Sequence, residues 1–242
     1  MIVLERVNSL LVVGAHAFDA EVLAGPLAAS VVAAGGSASL VHLSLGEQGH
    51  PSLPPDEYGE QKRREAAAAA GRLGCRWMTL ELPDGFLSVT DDVSLQLCDV
   101  IRRARPQLVV SHWSGSWHKD HRAAHRLTVD AVYYAALPTL RRQDAAHAPQ
   151  QLLFGENWED AEGFVPDCVA DVSEGMPAWR GAIEEYALAN GIGRFPYLDY
   201  YLSLYRLRGC VSGFQHAQVF VVQPAAAMLG IGQFLGERNE SR

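Results

Sequence analysis

Residues 9–16 of the chain, SLLVVGAH, form an apolar run with β-branched residues that reaches Gly14. Such a run is typical of a buried strand in a parallel sheet. The stretch after it, AEVLAGPLAASVVAAGG (20–36), has apolar residues at helical spacing and stops at paired glycines, which commonly end a helix. A buried strand that leads directly into a helix predicts the start of an α/β fold.

The same alternation continues along the first half of the chain. Strands are predicted within 37–49, 76–85 and 107–113, and helices over 61–74, 94–106 and 121–137. Because strands and helices take turns in this way, we expect a parallel sheet with helices on both of its faces.

The C-terminal part of the chain is expected to complete that sheet. The segment 151–223 predicts two short strands, a helix around 177–190 and a last strand within 213–223. We therefore expect a single domain over residues 1–242, in which residues 1–140 hold the strand–helix alternation.

Composition and charge exclude several classes of function. The chain has 242 residues, of which 48% are hydrophobic, and a formal net charge of -8. An acidic chain without a basic face does not suit nucleic acid, and the sequence has no apolar run of about 18 residues that would span a membrane.

No GxGxxG follows the first strand, so we expect no dinucleotide cofactor. The four scattered cysteines predict a reduced, cytoplasmic protein. The expected partner is a small-molecule substrate, and the oligomeric state stays open, a homo-oligomer included.

Two segments that follow strands carry potential metal ligands. His16 follows the first strand, and the segment SHWSGSWHKDHRAAH (111–125) follows the fourth. Ligands bind beyond the carboxyl ends of the strands in open parallel sheets, and two histidines with a carboxylate are the composition of a catalytic zinc site. The pair His121 and His125 is an alternative, although it lacks the glutamate of the HExxH motif.

Five motifs, in the same order along the chain, resemble the LmbE-like (PIG-L) zinc-dependent de-N-acetylases. Where that family typically has AHPDDAE and HPDHRAA, this chain has AHAFDAE (15–21) and HKDHRAA (118–124). The stretches LGEQG (45–49), LPDG (82–85) and GENWEDAEGF (155–164) also match members of the family. Together with the strand–helix pattern, the resemblance implies a Rossmann-like three-layer α/β sandwich with a mostly parallel sheet.

The resemblance also implies a set of roles in amide hydrolysis. His16, Asp19 and His121 would hold one Zn²⁺ per chain, which polarises the amide carbonyl and binds the attacking water. Fe²⁺ or Mn²⁺ would fit the same three ligands. His118 would steady the oxyanion or donate a proton, and Asp120 would orient a histidine.

Phe18 departs from the family pattern, because the family has its general-base aspartate at that position. Three interpretations follow. Glu47 could serve as the base of a hydrolase that removes an acyl group from an amino sugar or similar conjugate. The chemistry could instead be hydration or elimination on a small carbonyl acid. The protein could also bind a metal without turnover, with Phe18 as an apolar wall.

Four residues are candidates for substrate contact. Arg64 could bind an anionic or hydroxylated group, Trp113 could stack on a sugar ring, and Phe18 and His216 could line the pocket. Near His216, the chain has Gln218 where family members often have an acid, which would remove a partner for the site.

Overall fold

An eight-stranded sheet runs through the part of the chain that the structure, a computed structural model, describes: residues 2–3, 7–192 and 195–224. Its strands are β1 (Ile2–Val3), β2 (Ser9–Gly14), β3 (Ser37–His42), β4 (Arg76–Thr79), β5 (Leu108–His112), β6 (Gln151–Gly155), β7 (Cys168–Asp171) and β8 (Ala217–Val222). Their order across the sheet is β1-β7-β8-β6-β5-β2-β3-β4. All neighbouring strands are parallel except that β8 runs antiparallel to both β6 and β7.

Helices cover both faces of the sheet. They are α1 (Asp19–Ala33), α2 (Pro55–Leu73), α3 (Asp91–Ala104), α4 (Lys119–Ala136), α5 (Met176–Ile183) and α6 (Tyr197–Ser212), with a π-helical turn at Leu188–Ile192. Helices α1, α2, α5 and α6 share one apolar core, and α3 and α4 share the other. The three layers and the mostly parallel sheet confirm the predicted fold. No helix within the described ranges is long and apolar enough to cross a membrane.

The sequence of β2 explains why this strand lies at the centre. Leu10 and Val12 belong to the core under α1, whereas Leu11 and Val13 belong to the core under α3 and α4. Both faces of the strand are therefore buried, and a strand buried on both faces is apolar at every position rather than alternating.

The structure differs from the predicted elements mainly after residue 183. The helix expected around 177–190 ends at Ile183 and gives way to the π-helical turn. Helix α6 was not predicted, because YLDYYLSLYRLRGC has apolar side chains on all sides and so lacks a clear helical period. The single domain over 1–242 stays a prediction, and residues 1, 4–6, 193–194 and 225–242 lie outside the described part of the chain.

Candidate metal centre

The carboxyl ends of β2 and β5 meet at one edge of the sheet, and the predicted site lies there. His16 follows β2, Asp19 begins α1, and His121 lies in the first turn of α4, which follows β5. A cavity of about 210 Å³ opens beside them. Its lining combines the three predicted ligands with aromatic and polar side chains, namely Phe18, Tyr58, Lys62, Asp84, His118, Asn157, Trp158, Glu159, Tyr197 and Tyr201.

One oxygen of Asp19 is the point on which the histidines converge. Asp19 Oδ2 accepts a hydrogen bond from the backbone N–H of His16 at 2.8 Å and lies 3.1 Å from His16 Nδ1. The same oxygen lies 3.3 Å from Nε2 of His121 and 3.3 Å from Nε2 of His112. The structure thus brings both histidines to one oxygen of Asp19, and the role of His16, Asp19 and His121 as metal ligands stays a prediction.

Carboxylates hold the outer nitrogens of both predicted histidine ligands. Nε2 of His16 lies 3.2 Å from Asp84 Oδ1 and 3.4 Å from Asp120 Oδ2. Nδ1 of His121 lies 3.0 Å from Glu159 Oε2. Metal-binding histidines commonly donate their second ring N–H to a carboxylate in this way, and the inner nitrogens then face Asp19.

The electrostatics of the site favour a positive charge beside Asp19. Burial would raise the pKa of Asp19, but the charge of His121 and hydrogen bonds from His121 and His16 hold that pKa well below its usual value. Burial would lower the pKa of His121, but Asp19 and Glu159 outweigh it and raise the pKa to about 9. Asp120 and Asp19 likewise outweigh burial and hold the pKa of His16 well above its usual value. The surrounding carboxylates therefore stabilise positive charge on His16 and His121.

Neutral His112 packs against the predicted ligand His121. Burial, reinforced by the charge of His121, lowers its pKa to about 3. Its Nε2 accepts the backbone N–H of Ala15 at 3.0 Å, and its ring stacks on His121 with centroids 4.0 Å apart. Because that lone pair is already used, His112 is better suited to support the ligands than to join them.

The donor set fits a metal ion. Ligands at 2.0–2.1 Å in a tetrahedron lie about 3.3 Å from one another, and the separations from Asp19 Oδ2 to the two predicted nitrogens are 3.1 and 3.3 Å. Among the described residues, potential ligand atoms within 4.8 Å of one another form three overlapping groups, which are His16 with His118 and His121, Asp19 with His112 and His121, and His16 with Asp84 and Asp120; the predicted set of His16, Asp19 and His121 is divided between the first two. Imidazole nitrogen with carboxylate oxygen suits zinc and also iron.

Phe18 forms an apolar wall beside Asp19. It precedes α1 with φ 101°, a backbone region that side chains other than glycine rarely adopt. Its ring is 3% exposed and meets Tyr186 and Tyr197 edge to face, with centroids 5.1 Å apart in each pair. The Nζ of Lys62 lies 5.8 Å from the Phe18 ring and donates to Ala17 O at 2.6 Å.

The structure places Glu47 away from the pocket lining. Its loop follows β3 and reaches the expected edge of the sheet, but Glu47 Oε1 accepts the backbone N–H of Asp84 at 2.9 Å. Glu47 instead lines a separate cavity beside α2. Its carboxylate therefore holds the loop of Asp84 and does not take the position of a base.

Three of the four predicted substrate contacts also lie outside this pocket lining. Arg64 is largely exposed on α2 and pairs with Glu60 at 3.5 Å. Trp113 donates from Nε1 to the carbonyl of Glu162 at 2.7 Å, so it joins two loops. His216 lies in the turn before β8. Phe18 alone among the four lines the pocket.

Three charged residues of the pocket lining were not predicted from the sequence. Asp84 and Glu159 lie in the motifs LPDG and GENWED, which were noted without a role for either residue. Lys62 lies on α2 among several other charged residues, yet it is only 3% exposed. The two motifs could have pointed to Asp84 and Glu159 as site residues, whereas no feature of the sequence pointed to Lys62.

Comparisons with known proteins show the family and the fold of the chain. Residues 11–132 match the family PIG-L, described as GlcNAc-PI de-N-acetylase. The 1D-myo-inositol 2-acetamido-2-deoxy-alpha-D-glucopyranoside deacetylase of Thermobifida fusca is 29% identical, over 69% of this chain and 73% of that one. The conserved protein TT1542 of Thermus thermophilus is 29% identical with a TM-score of 0.77, over 88% of this chain and 93% of that one. The 4-carboxy-2-hydroxymuconate hydratase GalB of Pseudomonas putida shares the fold, with a TM-score of 0.80, 24% identity, and coverage of 88% and 95%.

Proposed function

The chain belongs to the PIG-L family of de-N-acetylases, and from that premise we propose that it is a metal-dependent deacetylase of an N-acetylated amino sugar or a similar small conjugate. The observation that carries the proposal is the pair of histidines around Asp19. His16 and His121 each turn one ring nitrogen toward Asp19 Oδ2 while carboxylates hold the other nitrogen. The deacetylase relative from Thermobifida fusca supports the choice of substrate class.

His16, Asp19 and His121 would hold one zinc ion per chain, and Fe²⁺ or Mn²⁺ would suit the same ligands. A bound zinc would supply a Lewis acid that polarises the substrate carbonyl and acidifies water. Asp84, Asp120 and Glu159 keep the outer imidazole nitrogens paired, so that the inner nitrogens stay available.

His118 is the proposed hydrogen-bond donor to the developing oxyanion. Its Nδ1 accepts the backbone N–H of Asp120 at 3.2 Å, so the neutral ring carries its proton on Nε2. Burial, together with the charges of His121 and His16, lowers the pKa of His118 and favours this neutral form. A donor fixed in this way needs no reorganisation when negative charge develops on the carbonyl oxygen.

Substrate would be held against a mixed aromatic and polar wall. Trp158, Tyr197 and Tyr201 offer rings for the apolar face of a sugar, and Asn157 and Lys62 offer polar atoms. Pockets of this composition take their affinity from the rings and their orientation from a few polar groups.

Phe18 limits the rate that this site should reach. Among the described residues, the carboxylates that line the pocket are those of Asp19, Asp84 and Glu159, and each lies against a histidine nitrogen. None is left free to remove a proton from water. We infer a slow hydrolase, since a general base typically contributes about 10²–10⁴-fold.

Phe18 and Lys62 favour one alternative, the metal-dependent hydration of a small carbonyl acid. Phe18 removes the base that amide hydrolysis uses, and the buried cation of Lys62 suits a substrate carboxylate. Hydration of a carbonyl acid and deacetylation are therefore alternative functions of the same pocket.

Metal content and product release test the proposal together. We expect purified chain to hold about one zinc and to release free amine and acetate in equal amounts from N-acetylglucosaminides. His121→Ala should lose both properties. His125→Ala is the matched control, because His125 lies one turn further along α4 and donates to His112 O at 3.0 Å.

Metal-loaded protein that releases no amine from any N-acetylglucosaminide would contradict the deacetylase, and turnover of an unsaturated keto acid by that protein would support the hydratase.

A further inference from the structure

Glu159 reaches the candidate metal centre from a part of the chain that lies outside the family match at 11–132. It lies in the loop after β6, and its side chain is 9% exposed. Glu159 Oε2 lies 3.0 Å from Nδ1 of His121, whose Nε2 lies 3.3 Å from Asp19 Oδ2. A carboxylate at Nδ1 stabilises the tautomer with its proton on Nδ1 and its lone pair on Nε2.

The loop that carries Glu159 is a tight turn with its own hydrogen bonds. The backbone N–H of Glu159 donates to Asn157 Oδ1 at 3.2 Å, and the backbone N–H of Asn157 donates to Asp160 Oδ2 at 2.7 Å. The hydroxyl of Tyr201 on α6 donates to Asn157 Oδ1 at 3.4 Å. These bonds hold the backbone of the turn from which the Glu159 side chain extends.

A short ladder joins this turn to the loop before α4. The backbone N–H of Trp117 donates to Glu159 O at 3.1 Å, and that of Glu162 donates to Gly115 O at 3.2 Å. A Cβ on Gly115 would lie 2.0 Å from Glu162 O, so the two loops approach too closely for any other residue there. The ladder therefore sets Glu159 and His121 at a fixed separation.

We propose that Glu159 is a positioning residue that sets the tautomer of His121 and strengthens metal binding by the chain. The inference rests on the metal centre of the proposed function. Ser116 Oγ lies 3.2 Å from the same Nδ1, but a neutral hydroxyl is a weaker acceptor than a carboxylate. The charge of Glu159 is the property that Ser116 cannot replace.

The test compares Glu159→Gln with Glu162→Gln, which makes the same charge change at an exposed position of the same loop. Zinc affinity is measured by competition with a chromophoric chelator, without substrate. We expect Glu159→Gln to bind zinc about 10–100-fold more weakly, the usual effect of losing such a partner. Glu162→Gln should stay within twofold of the wild type.

A second readout separates positioning from a structural role. In zinc-loaded protein labelled with ¹⁵N, the Nδ1 proton of His121 should resonate further upfield in Glu159→Gln, since an amide oxygen is the weaker acceptor. Unchanged affinity and an unmoved proton in Glu159→Gln would overturn the role of Glu159. Wild-type protein that binds no zinc would instead overturn the metal centre itself, and with it the proposed function.

Discussion

At the scale of single residues, Phe18 carries a strain that its position in the site explains. A non-glycine residue at φ 101° costs of order 1–3 kcal/mol. Two edge-to-face contacts, with Tyr186 and Tyr197, offset part of that cost. Asp and Asn adopt positive φ more readily than aromatic residues do. The backbone of this turn therefore suits the aspartate that the resemblance implies at this position better than it suits phenylalanine.

Phe18→Asp should increase deacetylation. It returns a carboxylate to the pocket beside Asp19, in a turn whose backbone tolerates aspartate. We expect kcat to rise by about 10²–10⁴-fold, the usual contribution of a general base. The measurement is amine release from an N-acetylglucosaminide at saturating zinc, at a temperature where circular dichroism shows the variant folded.

Phe18→Asn is the control for that substitution. It has nearly the same shape and the same loss of aromatic packing, but an amide cannot act as the base. Equal rates for the Asn and Asp variants would show that space in the pocket, and not a missing base, limits the reaction. No gain with aspartate would favour the hydratase alternative.

At the scale of elements, α1 is broken near its middle, and Gln218 on β8 joins the two parts. Ala24 has non-helical angles and Pro26 lies inside the helix. Gln218 Oε1 accepts the backbone N–H of Leu27 at 3.1 Å, while Nε2 donates to the carbonyl of Leu23 at 3.2 Å. The amide thus replaces helix hydrogen bonds that the break removes. Its role is structural, and the expected loss of an acidic partner for the site does not apply.

Gln218→Glu should therefore destabilise the fold. A carboxylate can accept from Leu27 but cannot donate to Leu23, so it would bury an unpaired charge against a carbonyl. We expect the free energy of unfolding to fall by about 1–3 kcal/mol, measured by urea denaturation. Gln151→Glu is the control, because Gln151 begins β6 and is exposed. A similar loss in both variants would contradict the role of the Gln218 amide.

Element order was predictable from the sequence because strand and helix periods differ. The segments that hold His16 and His121 were expected near each other because each follows a strand of one parallel sheet, and the resemblance to the family then implied which residues would bind the metal. The direction of a loop side chain follows no such rule. Glu47 and Glu159 both lie in loops at this edge, yet one turns to the backbone of Asp84 and the other to His121. That difference depends on contacts between loops that are distant in sequence.

At the scale of the whole molecule, the candidate centre joins both halves of the chain. Asp19 comes from the first strand–helix connection, His121 from α4, and Glu159 from the loop after β6. Strand β8 then returns antiparallel between β6 and β7, which ties that loop into the sheet. A ligand at the centre would therefore contact segments from most of the length of the fold.

Zinc should for this reason raise the melting temperature of the entire chain. A ligand that binds only the folded state stabilises it by about 2.7 kcal/mol at 100 times its Kd. For a chain of this size we expect Tm to rise by about 5–10 °C, measured by calorimetry after treatment with a chelator and again after zinc is restored. His125→Ala should show the same rise, and His121→Ala should show none, because His121, unlike His125, faces Asp19 Oδ2. Glu159→Gln should need a higher zinc concentration to reach the same Tm. An equal rise in His121→Ala would mean that zinc stabilises the chain from another site.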